Sequence, residues 1–323
     1  MKVPAAAFRK NKLIKHLNNH WDVFFSIFDI KVMVPNRCNN QTATVMKKQL
    51  LITCLLVSIL AFGQKKEKVK GSKIVKSELK TIDNFESIEL EDNIEVFLVK
   101  GNDCALEIEA DDNLIPFVEY KINGSNLRIS TAKDISSFKK LSVRITYTDK
   151  LNMVIAKDET NVTALSDVVL DNVTFKSYDY AKLFLNANTK SFTLMANDKS
   201  KVELNLKSTK TAIDLSKSAY VKALISSSEM KFDLYQKSAA EVEGDIIDLK
   251  LRLDNNTDFI GKKLTAKNAL LETGGYSKSS IKVSNIVTID ASGDSEIELY
   301  GEPIKIEMKR FADSAELYKK PSK

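Results

Sequence analysis

Asp198, Asp294 and Asp313 each stand in a short cluster of Ser, Asp, Asn, Lys or Gly, at a similar place in a recurring pattern. Carboxylates stacked in this way could form a ladder that holds Ca²⁺ or the hydroxyls of a glycan, because hard cations take oxygen ligands. Tyr178, Tyr220 and Tyr276, with Tyr180 and Tyr235, lie near the same clusters and would add a contact surface for sugar or protein. A simpler reading competes. Asp, Asn and Ser form turns by satisfying nearby backbone groups, and tyrosines can cover strand edges. Neither reading yields a catalytic, cofactor-binding or metal-ligating set. The partners it leaves open are a glycan or an envelope protein.

The front of the chain limits the chemistry further. Met46-Lys47-Lys48 is a basic start, residues 49–62 are almost wholly apolar, and Ala61-Phe62-Gly63 offers small residues before Gln64. That is the layout of a secretory signal peptide over 46–63. The apolar run is about 14 residues, short of the roughly 20 a membrane span needs. Residues 1–45 read as an upstream start that is not the true one. Of the 49 Lys+Arg and 43 Asp+Glu, 9 and 2 precede Gln64, leaving 40 and 41 and a formal net charge of −1. The overall +6 therefore belongs to the removable part and is not a nucleic-acid footprint. His16, His20, Cys38 and Cys54 go with it, so Cys104 is left alone as a small buried hydrophobe. Without histidine there is no Ser-His-Asp or Cys-His arrangement and no His-bearing zinc site. No P-loop or dinucleotide fingerprint occurs, and Gly274-Gly275 reads as a turn.

The elements that would position these residues are short strands in a repeat. Apolar marks after each polar cluster fall at Val162, Leu183, Val202, Val221, Val242, Phe259, Ile281, Ile297 and Leu317, with spacings from 16 to 22 around a beat of about 19. Two or three strands per 19 residues suit one coil of a β-helix. A helical solenoid would need a sustained 3.6 period, and a sandwich usually lacks such a beat. The expected fold is all-β, a right-handed parallel β-helix-like solenoid with an N-terminal β cap. Ala219, Ala239, Ser279 and Ala315 are expected at tight corners, and the uneven spacings imply insertions at the polar clusters. The open ends of such a stack need covering. Residues 64–81 read as a polar leader, 82–148 as the cap and 149–320 as the repeats. Within the cap, residues 94–99 and 105–110 read as strands joined hairpin-like through Lys100-Gly101-Asn102-Asp103, and Asn123-Gly124 reads as a tight turn.

Residues 82–101 (IDNFESIELEDNIEVFLVKG), 106–130 (LEIEADDNLIPFVEYKINGSNLRIS), 142–154 (SVRITYTDKLNMV) and 289–301 (IDASGDSEIELYG) resemble the putative auto-transporter adhesin, head GIN domain family of secreted proteins of Bacteroidota. The likeness runs over about 82–317. It implies an exported β-helical domain and, through the family's name, adhesion, with no binding residues to carry over. The residues after Ser142 depart from it at Lys157-Asp158-Glu159-Thr160. The expected function is a non-enzymatic exported interaction or envelope-structural module, located in the periplasm, at the outer surface or outside the cell. The alternative is a carbohydrate-active β-helix enzyme or glycan-binding protein. An enzyme would need a groove where two carboxylates, or one with Lys or Arg, converge.

Overall fold

The structure, a computed structural model, describes residues 66–321. The signal peptide at 46–63, the cut before Gln64 and the stretch 1–45 lie outside them. Strands dominate. The first nine are β1 (Lys68–Lys70), β2 (Val75–Thr81), β3 (Ser87–Leu90), β4 (Glu95–Lys100), β5 (Ala105–Asp111), β6 (Val118–Asn123), β7 (Asn126–Thr131), β8 (Asp134–Ser136) and β9 (Leu141–Tyr147). Then come β10 (Met153–Ala156), β11 (Asn161–Ala164), β12 (Val168–Ser177), β13 (Lys182–Ala196), β14 (Lys201–Leu215), β15 (Tyr220–Tyr235) and β16 (Ala239–Asp254). The last are β17 (Asp258–Thr273), β18 (Lys278–Ala291), β19 (Glu296–Tyr300), β20 (Lys305–Phe311) and β21 (Glu316–Lys319). From β10 onward each coil pairs in parallel with the next. Lys182, Lys201, Tyr220 and Ala239 stand in one column at steps of 19 residues. The expected parallel solenoid with rungs of about 19 residues is therefore what the chain forms.

Side-chain alternation explains each coil. In β14, Val202, Leu204 and Leu206 are buried while Lys201, Glu203, Asn205 and Lys207 are exposed. The phase then slips across residues 208–210, and Thr211, Ile213 and Leu215 are buried instead. Strand side chains alternate with period two, so a slip of one residue marks a bend. Each long strand is thus two flat faces joined at a bend. Stacking puts like columns on like. The apolar marks Val242 and Ile281, however, do not belong to the column of Val221 and Phe259. Ala240 and Ser279 fill it. The bulky Phe259 ring lies between these two small side chains, and its size is the reason they are small. The column runs Val162, Leu183, Val202, Val221, Ala240, Phe259, Ser279, Ile297, Leu317, with steps of 18 to 21.

The polar clusters are the turns back to the first face, and they do not vary in length. The first inward residue of the next face follows the last of the preceding one by six positions in Leu90–Val96, Ala156–Val162, Leu215–Val221, Thr273–Ser279 and Phe311–Leu317 alike. Length changes sit within the strands, between Glu241 and Glu243, Gly261 and Thr265, and Ala266 and Asn268 around the bends, and between Met308 and Arg310 on the second face. The expected insertions at polar corners are thus corrected to insertions within the strands, most of them around the bend. Ala239 and Ser279 are corrected too, since both lie in strands. The tight inner corner is lined by Thr160, Ala181, Ser200, Ala219, Ser238, Thr257, Ser277 and Ser295, all buried, and then by Ala315.

The same position of every turn has positive φ. Asp92, Asp158, Asp179, Asp198, Lys217, Gln236, Asn255, Gly275, Gly293 and Asp313 hold it, with φ between 54° and 70°, and Lys237 and Asn256 extend it by one residue in their turns. Asp, Asn and Gly tolerate this conformation, whereas other residues pay roughly 1–2 kcal/mol. Lys217→Gly should recover about 1 kcal/mol of that cost. It also removes the exposed Lys217–Asp198 bridge of 2.6 Å, worth about 0–1 kcal/mol. High salt screens the bridge in the parent, so thermal melts at high salt should put the variant about 2–4 °C above it.

The cap is threaded out of sequence order. β3 and β4 already form a coil, with β10 and β11 stacked on one side of it and β7 and β9 on the other. β9 lies between β4 and β5, parallel to one and antiparallel to the other, so Gly101 does not close a hairpin. The Asn123-Gly124 turn does close one, between β6 and β7, with Gly124 at φ 62°. The leader is not free either. β2 pairs with β5 along its whole length, and β1 pairs with β8. The exposed Lys76 and half-buried Lys80 on β2 suit an edge strand, which must discourage further pairing.

Asp111 ties this end together. It is fully buried and accepts backbone N–H bonds from Lys73 (2.9 Å), Lys140 (3.0 Å) and Lys139 (3.1 Å). Burial pushes its carboxyl up, but these three donors and the Lys73 charge outweigh it and hold the pKa below the ordinary value. A depressed folded pKa gives stability above the unfolded pKa that is lost as pH falls through the folded one. Asp111→Asn should therefore melt below the parent at neutral pH, and the two melting curves should converge in acid. At the opposite end β20 and β21 are the last strands, and among the described residues nothing covers them.

Candidate functional site

The turns place the sequence candidates along one edge of the solenoid. Asp198 and Asp313 share the positive-φ column, but Lys217, Gln236, Asn255, Gly275 and Gly293 stand between them. Six strand spacings separate the two, about 29 Å. Asp294 lies one residue beyond that column, beside Gly293, in line with Tyr276 and Tyr180 of other turns. Tyr178 and Tyr235 occupy the position before it, and Tyr220 opens a strand on the first face. Tyr180 packs under the Lys199 ammonium at 5.2 Å, and Tyr235 under Arg252 at 5.5 Å. The Tyr220 hydroxyl reaches Glu241 at 3.5 Å.

A contiguous carboxylate column does exist, and sequence reasoning missed most of it. Asp92, Asp158, Asp179 and Asp198 follow one another on successive coils. The Asp158 carboxylate accepts the Asp92 N–H at 2.9 Å, and that of Asp179 accepts the Asp158 N–H at 3.3 Å. Asp313 repeats the contact with the Gly293 N–H at 3.0 Å. Lys66 and Lys217 close the two ends of the column at 2.6 Å each. The carboxylates of Asp158, Asp179 and Asp313 thus cap the turn behind them. The invariant six-residue turn was the signal that could have aligned them. Among the described residues no group of three or more His, Cys, Asp or Glu could hold a metal ion.

Another carboxylate pair lies on the second face. Asp214 and Asp233 are neighbours in one outward column. Burial first, and the Asp233 charge second, push the Asp214 carboxyl above its ordinary value. Lys231 bridges Asp233 at 2.5 Å, which neutralises one of the two charges an acid–base pair would need.

The bends form a concave surface that crosses several coils. Asn188, Lys207, Ser226, Asp245 and Thr265 stand in one register column there, on five successive coils. They line a groove of about 530 Å³ together with Thr209, Ser228 and Lys267. Four strand spacings give it a length of about 19 Å. Its lining joins hydroxyls to the apolar Ile246 and Ile247. Ser208 and Thr211 share a hydrogen bond of 2.5 Å, and each lies 3.1 Å from the Ser227 hydroxyl. The buried Thr189 hydroxyl has no hydrogen-bond partner among the described residues. Hydroxyls, an amide and charges of both signs at regular spacing can bind a long polar chain by many weak contacts.

The family model described as putative auto-transporter adhesin, head GIN domain matches residues 84–303. A search of curated proteins gives no match. Among solved structures the chain is similar to a putative adhesin from Parabacteroides merdae ATCC 43184, with a TM-score of 0.59 and 17% identity over 78% of this chain and 98% of that one. It is similar to a putative adhesin from Parabacteroides distasonis ATCC 8503, with a TM-score of 0.60 and 15% identity over 78% and 100%. A third, described as a putative lipid binding protein from the same strain, has a TM-score of 0.55 and 12% identity over 78% and 99%. These likenesses are likenesses of fold.

Proposed function

The chain belongs to the putative auto-transporter adhesin, head GIN domain family, and from that premise we propose a non-enzymatic, exported, adhesin-like module that grips an extended polar partner along its bends. One observation supports the groove over the turns. Asn188, Lys207, Ser226, Asp245 and Thr265 repeat a polar group on five coils in register. A polymer with a regular repeat, such as a glycan, can meet such a ladder at several points. The bend is also where most changes of coil length sit, and variable surface segments commonly carry recognition on a rigid scaffold.

The test is a glycan array probed with the exported protein and with Lys207→Ala and Asp245→Ala. Each substitution should weaken binding about ten-fold, the scale of a hydrogen bond to a charged group. Binding that ignores both substitutions would move the site elsewhere. Cleavage of a polysaccharide by the purified protein would sink the non-enzymatic reading.

For location we propose the outer surface, after removal of residues 46–63 and with 1–45 untranslated. Protease added to intact cells should then digest the protein, and N-terminal sequencing should begin at Gln64. A protein protected until the outer membrane is opened would place it in the periplasm. A product that retains residues 1–45 would overturn the assignment of the start.

A further inference from the structure

The C-terminal end of the solenoid is an unfinished core. Ile306, Met308 and Phe311 stack on Val287, Ile289 and Ala291, which are fully buried, yet they are themselves 44%, 50% and 43% exposed. Ile304 beside them is 83% exposed. Among the described residues β20 pairs only with β18, and β21 only with β19. Terminal repeats ordinarily present a polar outer face, and an apolar strand with a free edge is a template for another strand. We infer that this end docks on the same end of a second copy of the chain, with β20 antiparallel to its counterpart about a two-fold axis at Ile306.

Backbone direction, register and charge all favour this occupant. Outward residues of the second face bond back to the preceding coil, as the Thr174 N–H does to the Asn152 carbonyl at 2.8 Å. Alternate residues of a parallel ladder then bond forward. Ile306 and Met308 therefore turn their N–H and C=O groups to the free edge. A register shift between Met308 and Arg310 interrupts the strand, so its regular part is 305–308, where Ile306 is the edge-facing residue flanked by Lys305 and Glu307. Antiparallel pairing about Ile306 sets Lys305 opposite Glu307 of the second copy and Glu307 opposite Lys305. It sets Ile304 opposite Met308, so apolar side chains continue the apolar face. Lys305 and Glu307 already bridge each other within the strand and would exchange partners across the axis. A self-complementary patch of this kind closes as a two-fold dimer and does not propagate.

Sedimentation equilibrium of the exported protein over a concentration series tests the inference. The expected result is a reversible dimer. Lys305→Glu sets like charges opposite each other at two symmetric places and should weaken the dimer about ten-fold. The double exchange Lys305→Glu with Glu307→Lys should restore it. Both side chains are exposed, so these variants should fold, and an unchanged melting curve checks that they do. Ile306→Cys should give a disulfide-linked dimer on oxidation, because a residue on the axis faces itself within disulfide reach. Lys305→Cys should not. A monomer at every concentration overturns the inference, and so does a monomer that binds only another envelope protein through this end. A dimer that ignores the charge exchange and fails to cross-link at Ile306→Cys overturns it as well.

Discussion

Replacing Gly244 by alanine should split the solenoid into two separately melting parts. Gly244 lies in β16 just after the bulge between Glu241 and Glu243, with φ at 118°. A Cβ there would lie 2.1 Å from the Ile225 carbonyl oxygen and 2.9 Å from its carbon. That neighbour is backbone of the preceding coil, so no rotamer change relieves the clash. Backbone strain of about 1–3 kcal/mol adds to overpacking of about 1–3 kcal/mol. The loss falls on one interface, that between β15 and β16. Coils contact only their neighbours, so a weakened interface can uncouple what lies on either side. Denaturant unfolding of Gly244→Ala should show two transitions where the parent shows one. A single transition at an unchanged midpoint would refute the strain argument.

Phe232→Ala should cost about 3–5 kcal/mol, the range for emptying a fully buried aromatic site. Phe232 is fully buried, and its ring meets Phe259 edge-on at 5.4 Å and 77°. Phe259 is itself held between Ala240 and Ser279. Removing Phe232 strips one wall from the only large ring in that column, and the small neighbours cannot close the gap. Phe232→Leu keeps most of the volume and should cost clearly less. Denaturant midpoints of the two variants measure the difference. Equal costs would mean that edge-on contact and shape contribute little there.

Much of this architecture was legible in residue patterns. The alternation in Val202-Glu203-Leu204-Asn205-Leu206 announces a strand with one wet side, and its recurrence announces stacking. Misreadings arose where neighbours on other coils override a local pattern. Val242 and Ile281 look like column members because they are large, but the space beside Phe259 admits only Ala240 and Ser279. Residues 94–99 and 105–110 look like a hairpin, and only β9, 30 or more residues later, takes the place between them. Lysines in β2 disguise a strand that β5 recruits through its backbone. The carboxylate column was half visible. Asp198 was recognised, but Asp92, Asp158 and Asp179 join it only once the six-residue turn supplies the alignment. The groove at the bends was not legible at all, because its serines and threonines look like those of any loop.

The unvarying turn has a consequence for size. Because every coil leaves and re-enters the stack through the same six-residue step, gene duplication could add or delete a coil without altering the turns, provided the inward columns still match in size as Ala240, Phe259 and Ser279 do. Each such event changes the molecule's reach by one strand spacing, about 4.8 Å. The chain is in that sense a ruler. Natural selection can set the distance between its two ends in fixed graduations while leaving the chemistry of each graduation free to drift.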